Sequence, residues 1–348
     1  MAQGYDVAIL GATGLVGRTM AQVLIERKFP VRSMKFLASA QSAGKRLLWQ
    51  GEEIVVQEAR PTSFEGIQLA LFSAGSTTSR DLAPHAARSG AVVVDNSSAW
   101  RMEANVPLVV PEVNPSDVDA HQNIIAVPNC STIQMVVALH PLHRVNPIRR
   151  IIVDTYQAVG GTGNKGIEEL REQTELIVAG RGDSVRPSVY PYQIAFNLIP
   201  QIEGFMDDGQ SREEAKMRHE TRKIMHAPDI RVIATTVRVP VYSAHSEAIH
   251  VDFERPISPH EAREILSTAP GVVVEDDPER SIYPTPLERS GRDEVFVGRI
   301  RANDVFENGL SLWVVADNIR KGAATNAVQI AETLIARGRL QSSFAQRQ

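Results

Sequence analysis

Tyr5-Asp6-Val7-Ala8-Ile9-Leu10-Gly11-Ala12-Thr13-Gly14-Leu15-Val16-Gly17 stands close to the start of the chain. Its first six residues read as a buried strand, and an apolar face of helical period follows from Arg18 until Lys28. Between a strand and a helix, such glycines hold a pyrophosphate on the free N–H groups of the helix N-terminus. A plain tight turn is the alternative, but the context favours a dinucleotide-binding fold.

Strand and helix patterns alternate from Tyr5 to about Leu142, which predicts a doubly wound α/β domain of the Rossmann type. Several of these strands end in small or polar residues, as is typical of a cofactor crevice along the carboxyl edge of a parallel sheet. The later strand patterns of this part are Ser33–Leu37, Leu69–Gly75, Ala91–Ser98 and Asn123–Val127.

The loop after the second strand bears on the choice of nicotinamide cofactor. Sites for NAD usually place an Asp or Glu here to hold the ribose 2′-hydroxyl. This loop instead offers Ser39 and Ser42 and, slightly later, Lys45 and Arg46. Hydroxyls and cations favour a 2′-phosphate, so the loop predicts NADP over NAD. An ordinary polar loop is the alternative.

Pro128-Asn129-Cys130-Ser131-Thr132-Ile133-Gln134 contains the only cysteine of the chain. The stretch lies between a strand pattern and a helical one, and with Asn129 as N-cap the cysteine falls at or beside a helix N-terminus. Free N–H groups and the helix dipole favour a thiolate there, which makes a cysteine nucleophilic near neutral pH. A buried, inert cysteine is the alternative.

Length and composition exclude several classes of protein. The 348 residues suffice for two domains. A formal net charge of -4 and an aromatic content of 5% argue against nucleic acid as the main partner. Apolar runs are far short of a membrane span, and the N-terminus shows no basic, apolar leader. With a single cysteine, these features predict a soluble cytoplasmic protein.

From Arg149 onward strand patterns cluster and helices become fewer, which predicts an α+β domain with a mainly antiparallel sheet. The strand patterns are Ile151–Val159, Arg231–Val241, Glu247–Glu254, Gly271–Glu275, Val295–Arg301 and Leu310–Ala316. The helical patterns are Lys165–Val178, Ser211–Met225, Pro259–Thr268 and Lys321–Arg337. Ser211 and Glu214 form a capping-box pattern at the start of the second of these helices.

A thiolate beside a nicotinamide implies a particular chemistry. It attacks an aldehyde or acyl phosphate, and the adduct exchanges a hydride with the cofactor through a thioester. Such a reaction needs a group with a pKa near neutrality, and of the nine histidines His245 has the most polar setting. Arg238 precedes it in the same segment and is suited to hold a carboxylate. A structural histidine is the alternative.

The motifs of this chain resemble, in order and over nearly its whole length, those of the aspartate-β-semialdehyde dehydrogenase family. The matching segments are Gly11–Gly17, Ser97–Met102, Pro128–Gln134, Thr155–Ala158, Arg238–Glu247 and Asp317–Ala324. The resemblance implies a nucleotide domain over residues 1–130, completed by a C-terminal helix over 321–338. It implies a catalytic and dimerisation domain over residues 131–320.

The resemblance also assigns roles to individual residues. Cys130 matches the family nucleophile, His245 its acid/base, and Gln157 the glutamine that positions the thiol and the acyl intermediate. Arg238 is expected to bind the substrate α-carboxylate and Glu220 its α-amino group. The remaining substrate ligands, expected to bind phosphate, are Lys223, Arg101 and Asn129.

For the cofactor the resemblance implies NADP and a larger set of contacts. Family members usually carry an arginine where this chain has Gln41, and Ser76 replaces a second glycine. These two departures weaken the implied strict preference for NADP over NAD, and they leave the implied reaction unchanged. The expected contacts are Gly11, Thr13, Gly14, Leu15, Val16, Ser39, Gln41, Ser42, Ser73, Ala74, Gly75, Asn96, Gly160, Gly161 and Asn318.

The implied activity is reversible, NADPH-dependent reduction of L-aspartyl-4-phosphate to L-aspartate-4-semialdehyde. In the family this step serves the biosynthesis of lysine and diaminopimelate, threonine, methionine and isoleucine. A homodimer or homotetramer is expected, with no nucleic-acid or membrane partner and no metal. The nearest rival is another acyl-phosphate reductase such as N-acetyl-γ-glutamyl-phosphate reductase. A cysteine hydrolase or acyltransferase and a nucleotide-sensing protein are further alternatives.

Overall fold

The structure is a computed structural model that describes residues 4–340. The chain forms two compact units. Of the described residues, the first unit takes those from 4 to Asn129 together with those from Ala323 to Leu340, and the second unit is contiguous from Cys130 to Gly322.

The α-helices and strands are numbered in chain order. The helices are α1 (Leu15–Glu26), α2 (Ser76–Arg88), α3 (Cys130–Val145), α4 (Asn164–Val178), α5 (Arg212–Ile224), α6 (Pro259–Ser267), α7 (Pro286–Arg289) and α8 (Thr325–Ala336). The strands are β1 (Tyr5–Leu10), β2 (Val31–Ala38), β3 (Arg46–Trp49), β4 (Glu52–Val55), β5 (Gln57–Glu58), β6 (Leu69–Phe72), β7 (Val92–Asp95), β8 (Ile124–Ala126), β9 (Ile148–Gln157), β10 (Arg231–Arg238), β11 (His245–Phe253), β12 (Val272–Val274), β13 (Val295–Asn303) and β14 (Gly309–Ala316).

The first unit is built on a six-stranded sheet in the order β5-β2-β1-β6-β7-β8, in which every pairing is parallel. Val7, Ala8 and Ile9 of β1 have no exposed surface, as expected of a central parallel strand covered on both faces. This confirms the predicted doubly wound fold. The prediction that the first helix starts at Arg18 was three residues late, because Leu15–Gly17 already form its first turn.

The second unit is built on a six-stranded sheet in the order β10-β9-β11-β14-β13-β12. Its three inner pairings are antiparallel, which confirms the predicted mainly antiparallel sheet. Its two edge pairings, β9 with β10 and β12 with β13, are parallel. Helices α3, α5 and α6 pack against this sheet.

Helix α3 is buried on nearly every side, as shown by Ile133, Met135 and Leu139, which have no exposed surface. A helix that is apolar all round belongs inside a core. Helix α5 has the opposite character, with one charged face and the capping box predicted from Ser211 and Glu214. The two helices pack against each other, so their facing side chains lie close together.

Two local features differ from the sequence patterns. The chain between β2 and β6 forms an antiparallel hairpin of β3 and β4, which was not predicted from the sequence. The predicted single helix Lys321–Arg337 is instead a π-helical turn over Arg320–Ala324 followed by α8. The wider turn is accompanied by a hydrogen bond from the Gly322 N–H to the Asp317 carbonyl oxygen, 3.0 Å long.

Candidate active site

The sulfur of Cys130 and the ring of His245 are in contact. Cys130 is the first residue of α3 and is half-buried, whereas His245 begins β11 and is fully buried. Sγ lies 3.3 Å from Nε2, although 115 positions separate the two residues in the sequence. The helix N-terminus favours the thiolate form of Cys130. The structure thus brings together the two residues that were predicted as nucleophile and acid/base.

His245 is an uncharged imidazole at neutral pH. Burial and, to a smaller extent, the positive charge of Arg238 lower its pKa to about 3, against the partial opposition of the negative charge of Glu213. Its second ring nitrogen, Nδ1, accepts a hydrogen bond from the backbone N–H of Ala158 at 3.0 Å. Both ring nitrogens therefore have fixed neighbours.

The backbone before His245 is held in an unusual conformation. Ala244 has a φ of 67°, in the left-handed region that residues with a Cβ seldom adopt. Its N–H donates to Oδ1 of Asn318 at 3.0 Å, which stabilises this conformation. Such strained residues cluster at functional sites, where the surrounding structure holds them in place.

Gln157 lies at the end of β9 and both ends of its amide are bonded within the protein. Its Oε1 accepts from the hydroxyl of Thr155 at 3.0 Å, and its Nε2 donates to Oε1 of Glu213 at 3.1 Å. Glu213 is 3% exposed, and it also accepts from Ser131 at 3.4 Å and from Lys216 at 3.2 Å. These hydrogen bonds hold the Glu213 carboxylate in place, and the carboxylate in turn fixes the orientation of the Gln157 amide.

Arg238 is buried at the end of β10, close to His245. Its Nη1 donates to the carbonyl oxygen of Ala158 at 2.7 Å, and its guanidinium lies 5.9 Å from the ring centroid of Tyr190. A Cβ at Gly161 would lie 3.2 Å from Nη1 of Arg238 and 3.6 Å from the His245 ring. The missing side chain at position 161 leaves room beside both groups.

Helix α5 carries Glu220 and Lys223, which the resemblance assigns to substrate. Glu220 is 1% exposed, which is rare for a carboxylate on a helix surface. Together with Glu213 and Lys216, these residues follow the spacing i, i+3, i+7 and i+10, and so share one helix face. Glu213 contacts Gln157 from that face, so the face is directed toward the end of β9.

The segment after β14 packs against Cys130. A Cβ at Gly322 would lie 2.7 Å from the Cβ of Cys130, so only glycine fits the present backbone there. Asn318 is 2% exposed, and its Nδ2 has no hydrogen-bond partner in the described part of the chain. A buried amide donor left open is compatible with the prediction that Asn318 contacts the cofactor, which stays a prediction.

A third buried acid of the second unit, Glu247, lies on the same strand as His245. Glu247 follows His245 by two positions on β11, so both point to the same face of the sheet. It has no exposed surface, and burial raises its pKa well above the usual range, with the Gln134 amide opposing in part. Within residues 4–340 neither its oxygens nor the amide atoms of Gln134 complete a hydrogen bond. Burial therefore favours the protonated, neutral form of Glu247.

In the first unit, the segment Gly11–Gly17, termed the glycine turn below, has the geometry of a pyrophosphate site. Gly11 has a φ of 81°, and a Cβ there would lie 2.8 Å from the carbonyl oxygen of Ser73. Gly14 is the N-cap of α1 with no side-chain cap, and the first turn carries no acidic residue. The N–H groups at the start of α1 therefore remain available to a ligand, which fits the pyrophosphate of a dinucleotide.

The other predicted cofactor contacts of the first unit follow the carboxyl ends of its parallel strands. Ser42 Oγ lies 3.5 Å from Oγ1 of Thr13, so the loop after β2 approaches the glycine turn. This is the crevice position expected for a dinucleotide in such a sheet. Ser39, Gln41 and Ser42 follow β2; Ser73, Ala74 and Gly75 follow β6; Asn96 follows β7. The cofactor contacts predicted for the second unit, besides Asn318, are Gly160 and Gly161, in the turn after β9.

Arg101 and Asn129 belong to the first unit and are both buried. The Nη2 of Arg101 donates to the backbone oxygen of Asn96 at 2.8 Å. Asn129 immediately precedes α3. Their predicted roles in binding phosphate stay predictions, as does the role of Lys223.

Comparison with known proteins decides the family. A model described as semialdehyde dehydrogenase, NAD binding domain, matches residues 6–121, and a model described as semialdehyde dehydrogenase, dimerisation domain, matches residues 139–321. An aspartate-semialdehyde dehydrogenase of Aquifex aeolicus is 57% identical over 338 residues, covering 96% of this chain and 99% of the relative. The chain belongs to the aspartate-semialdehyde dehydrogenase family.

Solved structures of aspartate-semialdehyde dehydrogenases superpose on this chain. The enzyme II of Vibrio cholerae, in a crystal structure described as complexed with ASA, has a TM-score of 0.93 and 46% identity and covers 96% of this chain and 99% of its own. A Candida albicans enzyme crystallised with NADP has a TM-score of 0.76 and 26% identity, with coverage of 97% and 99%. The predicted fold, family and nicotinamide-binding domain are thereby confirmed.

The described residues lack two features that would indicate other classes of protein. No helix among them is long and apolar enough to cross a membrane. No cluster of three or more His, Cys, Asp or Glu side chains among them is suited to hold a metal ion.

Three groups in contact with the predicted site of this aspartate-semialdehyde dehydrogenase family member were not predicted from its sequence. They are the carboxylate of Glu213, the backbone N–H of Ala158 and the bare Cα of Gly322. The sequence could have indicated Glu213, because it precedes Glu220 by two helical turns and so lies on the same face of α5. The other two are backbone features, and no residue type signals them.

Proposed function

We propose that this chain catalyses the reversible conversion of L-aspartyl-4-phosphate to L-aspartate-4-semialdehyde and phosphate, with NADPH as the reductant. The observation that carries this proposal is the contact of 3.3 Å between Cys130 Sγ at the start of α3 and Nε2 of His245. A thiolate placed there is suited to attack an acyl phosphate or an aldehyde. The names of the relatives and the ASA complex of the Vibrio cholerae enzyme support this substrate.

In this proposal Cys130 is the nucleophile that forms an acyl thioester. The helix N-terminus stabilises its thiolate, and His245 lies beside the sulfur, where the oxygen of a bound acyl group also falls. Gln157, held by Thr155 and Glu213, presents a fixed amide beside this centre. The bound nicotinamide supplies or accepts the hydride.

The substrate's own charged groups account for the remaining residues of the site. Arg238 has one guanidinium nitrogen on the Ala158 carbonyl, and its planar fork suits the α-carboxylate. Glu220, buried on α5, is assigned to the α-ammonium group, and Lys223 of the same face to phosphate. Arg101 and Asn129 are the further phosphate ligands that the family resemblance implies. An acetylated substrate nitrogen would leave Glu220 without its partner, which disfavours N-acetyl-γ-glutamyl phosphate.

NADP is the proposed cofactor in preference to NAD. In the loop after β2, the segment Ser39–Lys45 carries no carboxylate to bind a 2′-hydroxyl, while Ser39, Ser42 and Lys45 suit a 2′-phosphate. The related Candida albicans enzyme was crystallised with NADP. Gln41, in place of the family's arginine, is expected to weaken the preference without reversing it.

The proposed assembly is a homodimer or homotetramer of cytoplasmic protein. Along β9, Ile152 and Tyr156 point to the face opposite the helices and are 36% and 38% exposed, and Ile233 of β10 is 61% exposed. Apolar side chains on one open sheet face suit an interface with a second copy. The single cysteine, which must stay reduced to react, suits the cytoplasm.

The decisive experiment compares the wild-type protein with Cys130→Ala in phosphate-dependent oxidation of aspartate semialdehyde, followed by nicotinamide absorbance with NADP and NAD in parallel. We expect NADP-linked activity in the wild type and loss of at least ~10⁴-fold in the variant, which still binds NADP. Retained phosphate-dependent turnover in Cys130→Ala would contradict the mechanism. If the wild-type protein were active only with N-acetyl-glutamate semialdehyde, that compound would replace aspartate semialdehyde as the proposed substrate.

A further inference from the structure

The guanidinium of Arg238 lies over the ring of Tyr190. Its central carbon is 5.9 Å from the ring centroid, and its Nη1 donates to an uncharged acceptor, the carbonyl oxygen of Ala158, at 2.7 Å. Arg238 is buried. A cation over an aromatic face is attracted by the ring quadrupole, and this attraction is stronger where water is excluded. The two contacts therefore hold the guanidinium in place without neutralising its positive charge.

The chain segment that carries Tyr190 also holds the backbone of Arg238. This segment, residues 179–211, connects α4 to α5 and is termed the α4–α5 connection below. The N–H of Arg238 donates to the carbonyl oxygen of Ile199 at 2.8 Å, and the N–H of Ile199 donates to the carbonyl oxygen of Arg238 at 3.0 Å. These two hydrogen bonds form an antiparallel bridge. The α4–α5 connection thus contacts both the backbone and the side chain of Arg238.

Two buried side chains of α4 hold the α4–α5 connection on either side of Tyr190. On the N-terminal side, Glu169 accepts hydrogen bonds from the backbone N–H of Ser188 at 3.1 Å and from the hydroxyl of the same residue at 2.8 Å. On the C-terminal side, Gln173 accepts from the backbone N–H of Ile194 at 2.9 Å. The Gln173 amide also donates to Glu169 at 3.1 Å, which joins the two side chains. Tyr190 therefore lies between two fixed points of the backbone.

The ring of Tyr190 is held by contacts of its own. Its hydroxyl oxygen lies 2.9 Å from Oγ1 of Thr162, and burial raises the pKa of Tyr190, so the hydroxyl keeps its proton near neutral pH. A Cβ at Gly166 would lie 2.6 Å from this oxygen, so the glycine makes room for the phenol. The ring also packs against a buried apolar cluster of Val159, Leu170, Ile194, Ala195 and Ile199. The ring therefore cannot move without loss of these contacts.

The orientation of a guanidinium matters for the binding of a carboxylate. The two groups pair through parallel N–H···O bonds at one edge of the guanidinium, so the affinity depends on the direction in which that edge points. A long side chain such as arginine samples many rotamers unless its surroundings hold it. In the described structure, Ala158 holds one nitrogen of Arg238, and the ring of Tyr190 covers the guanidinium.

We propose that Tyr190 is a positioning residue for the substrate, whose ring holds the Arg238 guanidinium in the orientation that receives the substrate α-carboxylate. This inference rests on the proposed function, in which Arg238 binds that carboxylate. Tyr190 acts through Arg238 and contacts none of the reacting atoms. Loss of its ring therefore weakens the binding of the carboxylate-bearing substrate and leaves the chemical step at Cys130 unchanged.

Steady-state kinetics of three variants tests this proposal, with aspartate semialdehyde, phosphate and NADP varied in turn. Tyr190→Leu removes the ring, and we expect the KM for aspartate semialdehyde to rise about tenfold. The kcat and the KM values for phosphate and NADP should stay within about twofold of wild type. Tyr190→Phe keeps the ring and should raise the KM for aspartate semialdehyde less than about threefold. The matched control is Tyr192→Leu in the same connection, at a residue that is 66% exposed, and it should behave as wild type.

Three outcomes of these measurements overturn the proposal. The first is an unchanged KM for aspartate semialdehyde in Tyr190→Leu. The second is a fall in kcat as large as the rise in KM, which would mean that the substitution disturbs the whole centre. The third is an equal rise in KM in Tyr190→Phe and Tyr190→Leu, because the hydroxyl and not the ring would then be responsible.

A double-mutant cycle tests whether Tyr190 acts through Arg238. In Arg238→Gln the positive charge is absent, so the additional substitution Tyr190→Leu should change kcat/KM for aspartate semialdehyde less than about twofold. The same tenfold loss in the wild-type and Arg238→Gln backgrounds overturns the proposal.

The same variants separate a failure of this proposal from a failure of the proposed function. Wild-type protein that acts only on N-acetyl-glutamate semialdehyde would contradict the proposed substrate. That compound also carries an α-carboxylate, so the comparison of Tyr190→Leu with wild type is then made with it. Equal KM values in the two proteins, for whichever aldehyde is oxidised, overturn the role of Tyr190 alone.

Discussion

The glycine turn of the first unit and the centre around Cys130 in the second unit achieve reactivity by opposite means. In the glycine turn side chains are absent, so that backbone N–H groups reach a ligand: no side chain caps α1 at Gly14. At Cys130 the side chains carry the chemistry, and backbone groups set their states: the Ala158 N–H orients His245, and Gly322 leaves space for the cysteine. The structure of the glycine turn depends on local backbone conformation, whereas that of the Cys130 centre depends on contacts between residues far apart in the sequence.

The largest effect is expected from closing the space inside the glycine turn. In Gly17→Ala the new Cβ would lie 2.3 Å from the Gly11 carbonyl oxygen, so the turn and α1 must separate. We expect a stability loss of about 2–3 kcal/mol in denaturant unfolding and NADP affinity at least ~10-fold weaker by fluorescence titration.

The matched control for this change is Gly204→Ala, whose Cβ meets nothing closer than 4.0 Å, a side-chain nitrogen of Arg212. It should leave both stability and cofactor affinity at wild-type values. If Gly17→Ala bound NADP normally, the glycine turn would not act through its backbone, and the contrast with the Cys130 centre would fail.

A smaller effect is expected from weakening the long-range support of Gln157. In Glu213→Gln an uncharged amide replaces the carboxylate whose charge strengthens the hydrogen bonds with Gln157 and Lys216. The kcat should therefore fall about tenfold, while the KM for phosphate should change little. Glu214→Gln, on the neighbouring residue, keeps the capping box and should have wild-type kcat. Steady-state kinetics of both variants measures the difference. Equal rates would remove Glu213 from the centre.

The smallest effect concerns stability and pH. The pKa of Glu247 is raised on folding, so its favourable contribution is complete below the pKa of the unfolded chain and is lost as pH rises toward the folded value. Glu247→Gln takes up no proton on folding. Its stability relative to wild type should therefore rise with pH above about 5, by at most about 1.4 kcal/mol per pH unit.

Urea unfolding at several pH values measures this trend. The variant and the wild type should differ by a constant amount below about pH 4, where Glu247 is protonated in both states. A parallel pH dependence across the whole range would mean that Glu247 is ionised in the folded protein.

The sequence predicted what depends on local order and on residue type. The strand and turn of Tyr5–Gly17, the position of Cys130 at a helix start and the capping box of Ser211 were all visible as short patterns. Cys130 and His245 were each identified from their surroundings, and the structure supplied their contact. That contact spans 115 positions and depends on the packing of α3 against the second sheet, which no short pattern encodes.

Other features escaped prediction because they involve backbone atoms or the absence of atoms. The His245 ring is held by one peptide N–H, that of Ala158, and the π-helical turn accompanies the close approach of Gly322 to Cys130. Glu247 read as an ordinary polar position of a strand, yet it is a fully buried acid. Its burial follows from its place on the inner face of β11, between β9 and β14.

The division of the chain into units has a consequence for the order of biosynthesis. The first unit includes α8, which begins at Thr325 and packs against α1. Its N-terminal strands therefore leave the ribosome long before their last partner, whereas the contiguous second unit is complete once Gly322 has emerged. The nascent protein can close its second unit first. Truncation of the chain before Thr325 therefore keeps the whole second unit, which contains Cys130 and His245, but removes α8, a packing partner of α1.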